Sequence, residues 1–226
     1  MRIRADLDQR VVVNMDELPW VDSPEPGVQR RMLERDGEEV ARATSIVRFA
    51  PDSRFAAHSH GAGEEFLVLD GVFSDEDGDF GPGAYVRNPP GSRHTPSSAP
   101  GCTIFVKLRQ MDPDDCTSVR IDTTRGEWRP GPAGGVEVMP LYQRDPERVV
   151  LLRFAPGARL ERQEHPGGEE ILVLDGSLED EHGRYRKGTW LRSPPGSAHR
   201  PFSREGCLLY VKTGHLGRPP APDAAS

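Results

Sequence analysis

The 226 residues carry a formal net charge of −7 and no basic stripe of the kind that tracks phosphates, so nucleic acid is not an expected partner. No apolar run is long enough to cross a membrane, and the opening MRIRADLDQR lacks the apolar core of a signal peptide. A soluble cytoplasmic protein with no membrane partner is the expectation.

With 24 glycines, 22 prolines and a hydrophobic share of 35%, the composition favours short strands joined by turns, an all-β chain. From the start, Met1 to about Asp22 is partly apolar (VVVNMDELPW) and offers a strand to a sheet edge, of this chain or of a second copy in a homodimer. ATSIVRFA, EFLVLDG, AYVRNPP and CTIFVKL are β-branched or aromatic runs bounded by Gly, Pro, Asp or Ser, which predicts strands. Asp70-Gly71 predicts a hairpin, SDEDGD an exposed turn, and Pro89-Pro90 the end of a strand at a rim, since proline cannot donate within a central ladder.

The same elements then recur. An offset of 105 aligns VRFAPDSRF at Val47 with LRFAPGARL at Leu152, GEEFLVLDG at Gly63 with GEEILVLDG at Gly168, YVRNPPGSRH at Tyr85 with WLRSPPGSAH at Trp190, and GCTIFVK at Gly101 with GCLLYVK at Gly206. A register held over so many elements without a gap indicates duplication, with a period too long for a solenoid. Upstream, Trp20 and Trp128 correspond at 108, so the first copy has extra residues near RDGEEVA. Two domains are expected, 1–115 and 116–216, followed by a disordered tail over 217–226.

Three cysteines, an odd number without CxxC spacing, argue against a disulfide framework or a cysteine zinc site. Cys102 and Cys207 hold equivalent places before apolar runs and read as small buried hydrophobes.

The residues with chemistry lie in FAAHSHGAGEEFLVLDG. Side chains of a strand alternate, so His58 and His60 face one side and can share an ion; Gly61 and Gly63 let the backbone bend Glu64 toward them, leaving Glu65 facing away as an edge residue. His94 follows the PPGSR rim, which returns the chain across the barrel mouth. Three imidazoles and a carboxylate suit a divalent transition metal, Zn, Fe, Mn or Ni, with zinc or iron favoured. In the second copy Gln163 stands where the first has His58, while His165, Glu169 and His199 are kept. An amide oxygen is a weaker donor to such metals than imidazole, so a weaker second site is expected, with a decayed domain retained for packing as the alternative. No further catalytic base stands out. Arg87, Arg192, Lys107 and Lys212 recur and are expected in structural salt bridges, while His182 reads as a solvated loop residue and His215 lies past the last strand.

These motifs resemble those of the cupins. The first cupin motif is matched by His58, His60, Glu64 and Gly71, the second by Gly83, Pro89, Gly91 and His94; the second copy matches with His165, Glu169 and Gly176, then Gly188, Pro194, Gly196 and His199. The resemblance implies two tandem jelly-roll barrels. The stretch from Glu64 to Pro96 is similar to the cupin domain of ChrR anti-sigma factors and of related dioxygenases acting on diketones and hydroxyacetophenones. The anti-sigma factors grip their partner with a separate zinc-binding helical domain, for which this sequence has no counterpart. The leading expectation is a mononuclear metal-dependent dioxygenase acting on a small diketone or phenolic ketone. The alternative is a zinc-binding regulatory cupin without catalysis.

Overall fold

In the computed structural model residues 1–217 are described; the expected disordered tail lies outside them apart from Gly217. Strands dominate, all pairing antiparallel, and the one helical element among the described residues is the short 3-10 turn Met15–Glu17. No helix is long and apolar enough to cross a membrane.

The chain forms two compact units. The first takes Met1–Ala5 and Leu18–Gly126. Its large sheet runs, neighbour to neighbour, Arg2–Ile3, Val28–Gly37, Ala41–Phe49, Cys102–Leu108, Glu64–Gly71, Ala84–Asn88 and Val119–Asp122. A smaller sheet of Gly78–Phe80, Phe73–Asp75, Ser97–Ser98 and Ser53–Arg54 completes the barrel. Between them pack Phe49, Phe66, Phe73, Val86, Cys102, Ile104 and Val106. The second unit takes Asp6–Glu17 and the chain from Glu127 onward. Its sheet runs Arg129–Pro130, Val136–Arg144, Glu147–Phe154, Cys207–Thr213, Glu169–Asp180, Thr189–Ser193 and Val11–Asn14, over a core that includes Phe154, Ile171, Val173, Leu178, Cys207 and Leu209. Both core cysteines are buried, and burial pushes each thiol up to about 11, which leaves them inert.

Contiguous halves at 115/116 therefore do not describe the packing. Val119–Asp122 closes the first sheet against Ala84–Asn88, and Val11–Asn14 closes the second against Thr189–Ser193. At the offset of 108 that joins Trp20 to Trp128, Val11 corresponds to Val119, so each repeat sends its first strand to the barrel built from the other. VVVN, read from the sequence as a strand for a sheet edge of this chain or of a second copy, pairs within its own chain.

The Asp-Gly pairs are not hairpin turns. Glu169–Asp180 runs as one strand through Gly176, pairing first with Cys207–Thr213 and then with Gly183–Arg186. Gly71 and Gly176 lie where this strand leaves the large sheet, at φ 71° and 68°, and a Cβ on either would run into the carbonyl of Gly101 or Gly206. Glycine is required here by a close backbone approach at a sheet corner.

The polar residues on the far side of the central strands are buried too. Arg87 is fully enclosed, 2.5 Å from Glu65 and 2.8 Å from Asp115, and Lys107 donates to Thr44 at 2.9 Å. In the second unit Lys212 meets Glu147 at 3.0 Å, and Glu170 lies 3.5 Å from the buried His215. Glu65, expected as a solvated or hydrogen-bonded edge residue, is thus hydrogen-bonded within a buried ion pair.

Gly71→Ala should cost more than about 2 kcal/mol, roughly 4–8 °C in melting temperature, because the new methyl meets backbone that cannot swing away. Thermal unfolding checks this, and Gly91→Ala, with open space at its Cβ, is the milder comparison.

Candidate metal centre

In the first barrel the strand His58–Ser59 pairs with Arg93–His94, setting His58 directly opposite His94. The strand is only two residues long, so alternation alone does not carry His60 to the site. The proline rim does: Gly91, at φ 83°, donates its N–H to the His60 carbonyl at 2.8 Å, and His60 donates its own to the Ser92 carbonyl at 2.9 Å. Gly63, at φ 79°, then turns the chain into the strand Glu64–Gly71.

The three imidazoles form a near-equilateral triangle, with ring centroids 5.0 Å apart for His58–His60 and His58–His94 and 4.6 Å for His60–His94. Each offers a nitrogen within 4.8 Å of the others. The Glu64 carboxylate lies 3.5 Å from Nε2 of both His60 and His94. All four expected residues are together. In the second barrel His165, Glu169 and His199 converge likewise, with Glu169 Oε2 at 3.6 Å from His165 and 3.3 Å from His199. Gln163 sits opposite His199 in the register and lines the same cavity as these three. Its amide nitrogen donates to the Glu161 carbonyl at 2.9 Å, as His58 Nδ1 does to Ala56 at 3.0 Å, so its oxygen is the donor atom it has to offer.

The donor chemistry fits a metal. The Nε2 atoms of His60, His94 and His165 and Oε2 of Glu169 are buried and accept no hydrogen bond. Buried polar atoms are rarely left so, and a cation would satisfy every one. Burial, ahead of its neighbours' charges, lowers the pKa of His60 and leaves its lone pair free. In the second barrel burial, then His199, brings His165 down to about 4, while burial drives Glu169 up to about 7. Glu64 receives a hydrogen bond from Asn88 at 3.0 Å; the residue equivalent to Asn88 is Ser193, and Glu169 has no such donor.

Sequence reasoning missed the residues that hold the ligands. His94 Nδ1 donates to Asp75 at 3.0 Å, and His199 Nδ1 to Asp180 at 3.2 Å. Burial opposes charge on both rings, but these carboxylates outweigh it and both pKa values are raised. Asp75 belongs to SDEDGD, expected as an exposed turn, yet its side chain is 1% exposed. The signal available was the repeat itself, because Asp75 and Asp180 align at 105. A further layer comes from the exchanged strands. Arg120 donates to Asn88 at 2.7 Å, behind Glu64; Arg10 donates to the Tyr185 hydroxyl at 2.5 Å, which donates to Asp180 at 2.6 Å.

The ligands face the barrel interior. A cavity of about 290 Å³ is lined by His58, His60 and Glu64 together with Phe49, Phe55, Phe73, Ile104, Val106 and Leu108. Its counterpart in the second barrel measures about 230 Å³. Arg109 lines the first cavity with a left-handed φ of 58°, at the position where the second repeat has Gly214.

The family model of the ChrR cupin-like domain matches residues 8–112 and, again, 117–217, and the chain belongs to that family in both halves. Among solved structures it is similar to a putative dioxygenase from Nostoc punctiforme PCC 73102, with 17% identity, a TM-score of 0.74 and coverage of 94% of this chain and 85% of that one. It is also similar to a cupin 2 conserved barrel domain protein from Leptotrichia buccalis (12%, TM-score 0.62, 93% and 98%). A third likeness is to the oxalate decarboxylase of Lactobacillus farciminis in its formate complex (11%, TM-score 0.64, 91% and 86%). At such identities the likeness is one of fold, two cupin barrels in tandem. No curated protein matches the sequence significantly.

Asp75→Asn should weaken zinc binding to the first site by about 10- to 100-fold while leaving the fold intact, as read by competition with a chromophoric chelator. The second site should depend more steeply on pH. Glu169 must lose its proton to bind, so zinc affinity there should fall by roughly tenfold per unit below about pH 7. Zinc titrations at pH 6, 7 and 8 on a His60→Ala, His94→Ala background isolate that dependence.

Proposed function

We propose that this tandem cupin is a metal-dependent dioxygenase-like enzyme whose working centre is the first barrel, acting on a small diketone or phenolic ketone, with the second barrel as a weaker metal site. The observation that carries this reading is the apolar cavity opening onto His58, His60 and Glu64, since a ligand cluster serving structure alone has no use for a substrate-sized void. The similar folds of a putative dioxygenase and of an oxalate decarboxylase agree with it.

His58, His60, Glu64 and His94 would hold the metal. A divalent iron there supplies Lewis acidity toward an enolised ketone and redox chemistry toward O₂. The remaining work falls to the chain. Asp75 fixes His94 in the tautomer with its Nε2 lone pair free, and Asn88 steadies the Glu64 carboxylate. Phe49, with its ring centroid 5.3 Å from that of Phe55 and 5.7 Å from that of Phe73, joins them in an apolar wall that excludes water and lowers the local dielectric.

Protein purified without chelator should contain iron, manganese or nickel in a five- or six-coordinate site by elemental analysis and X-ray absorption. It should consume O₂ with acetylacetone or 2-hydroxyacetophenone, and His94→Ala should abolish that uptake. Tight four-coordinate zinc with no O₂ consumption under any metal would sink the enzyme and favour the zinc-binding regulatory cupin.

A further inference from the structure

We infer that the first barrel selects a substrate bearing a carboxylate, which Arg30 and Arg35 hold at the mouth of the cavity; this deepens the enzyme reading above and rests on it for the identity of the reacting end. A second void of about 510 Å³ adjoins the metal cavity, sharing with it the walls Val47, Phe55, His58 and Val106, and is lined by Arg30 and Arg35. Both arginines belong to the strand Val28–Gly37, five positions apart, and would face opposite sides of a regular strand. A bulge between Met32 and Glu34 shifts the register, so that Arg30 lies opposite Val47 and Arg35 opposite Ala43, two residues that line the same void.

Two guanidinium groups side by side in a half-enclosed cavity call for an anion between them. At present Glu39 supplies it. Its carboxylate takes two hydrogen bonds from Arg30, at 3.0 and 3.3 Å, and lies 4.0 Å from Arg35, while its side chain is 63% exposed on a hairpin loop. Arg30 keeps a buried Nε without a hydrogen-bond partner, a donor that Glu39 does not reach. An exposed side chain on a loop is a displaceable occupant, and it shows which functional group the pair accepts. The duplication supplies an internal control. The second repeat has the same bulge, but Val138 lies opposite Leu152 and Gln143 opposite Arg148, so the arginine pair is replaced by an apolar and a neutral side chain. Only the barrel with three histidines has the pair; the second cavity has the single Arg148 from the neighbouring strand.

The test compares 4-acetylbenzoate with its methyl ester, which keeps the ketone and loses the charge, by calorimetry on zinc-loaded and on metal-free protein. The acid should bind at least about tenfold more tightly than the ester in both forms. Arg35→Met should erase that preference, and Glu39→Gln, an exposed change without risk to the fold, should strengthen acid binding severalfold by removing the competitor. Equal affinities for acid and ester, or a preference indifferent to both substitutions, would overturn the assignment. Acid binding that tracks the arginines, without O₂ consumption under any metal, would instead leave it standing and remove the enzyme reading.

Discussion

Each barrel is arranged around buried nitrogen and oxygen lone pairs that have nothing to accept from. Leaving such an atom unsatisfied costs on the order of 1–3 kcal/mol, and here several converge in one place. A cation would satisfy them together, and the surrounding structure holds them against dispersal. Asp75 and Asp180 fix the rim histidines, the proline turn ties His60 to Gly91, and Asn88 anchors Glu64. Remove the demand for an ion and these buried polar contacts lose their reason.

Much of this was legible in the sequence because duplication wrote it twice. The fold class, the two barrels and the four converging residues of the first site follow from periodicity and spacing. Three things were hidden. The Asp-Gly pairs carry the composition of a hairpin, yet their glycines serve a close approach that only the tertiary packing reveals. The acidic run around Asp75 looks like solvated surface because pattern reading takes charge for exposure, whereas a single carboxylate in it is sealed against His94. Strand exchange leaves no trace in local propensity, since Val11–Asn14 reads as the same edge strand whichever barrel it joins.

The two copies also show how one scaffold is tuned. The change from His58 to Gln163 removes an imidazole, and the change from Asn88 to Ser193 removes the amide that hydrogen-bonds the carboxylate. Burial then dominates Glu169, whose proton competes with any metal at neutral pH. Arginines gather at the mouth of the first cavity and are replaced in the second. The copies have diverged at ligand and cavity positions while the core and the glycine corners stayed alike, as expected when a fold is retained and its sites are modified.

The exchanged strands set an order of events for folding. Asn14 bonds Thr189 across 175 residues, so the second barrel cannot close until most of the chain exists. During synthesis Val11–Asn14 emerges long before its partner Thr189–Ser193 and stays an open edge for the whole interval. Closure over so long a loop is entropically costly and slow, and high contact order places this chain among slowly folding β-proteins. Arg10 and Arg120 travel with those strands, so the hydrogen bonds to Tyr185 and to Asn88 form only once each strand has docked. The second barrel is thus completed by a strand made long before its partner, whereas the first is closed by Val119–Asp122, which follows directly on the repeat it completes.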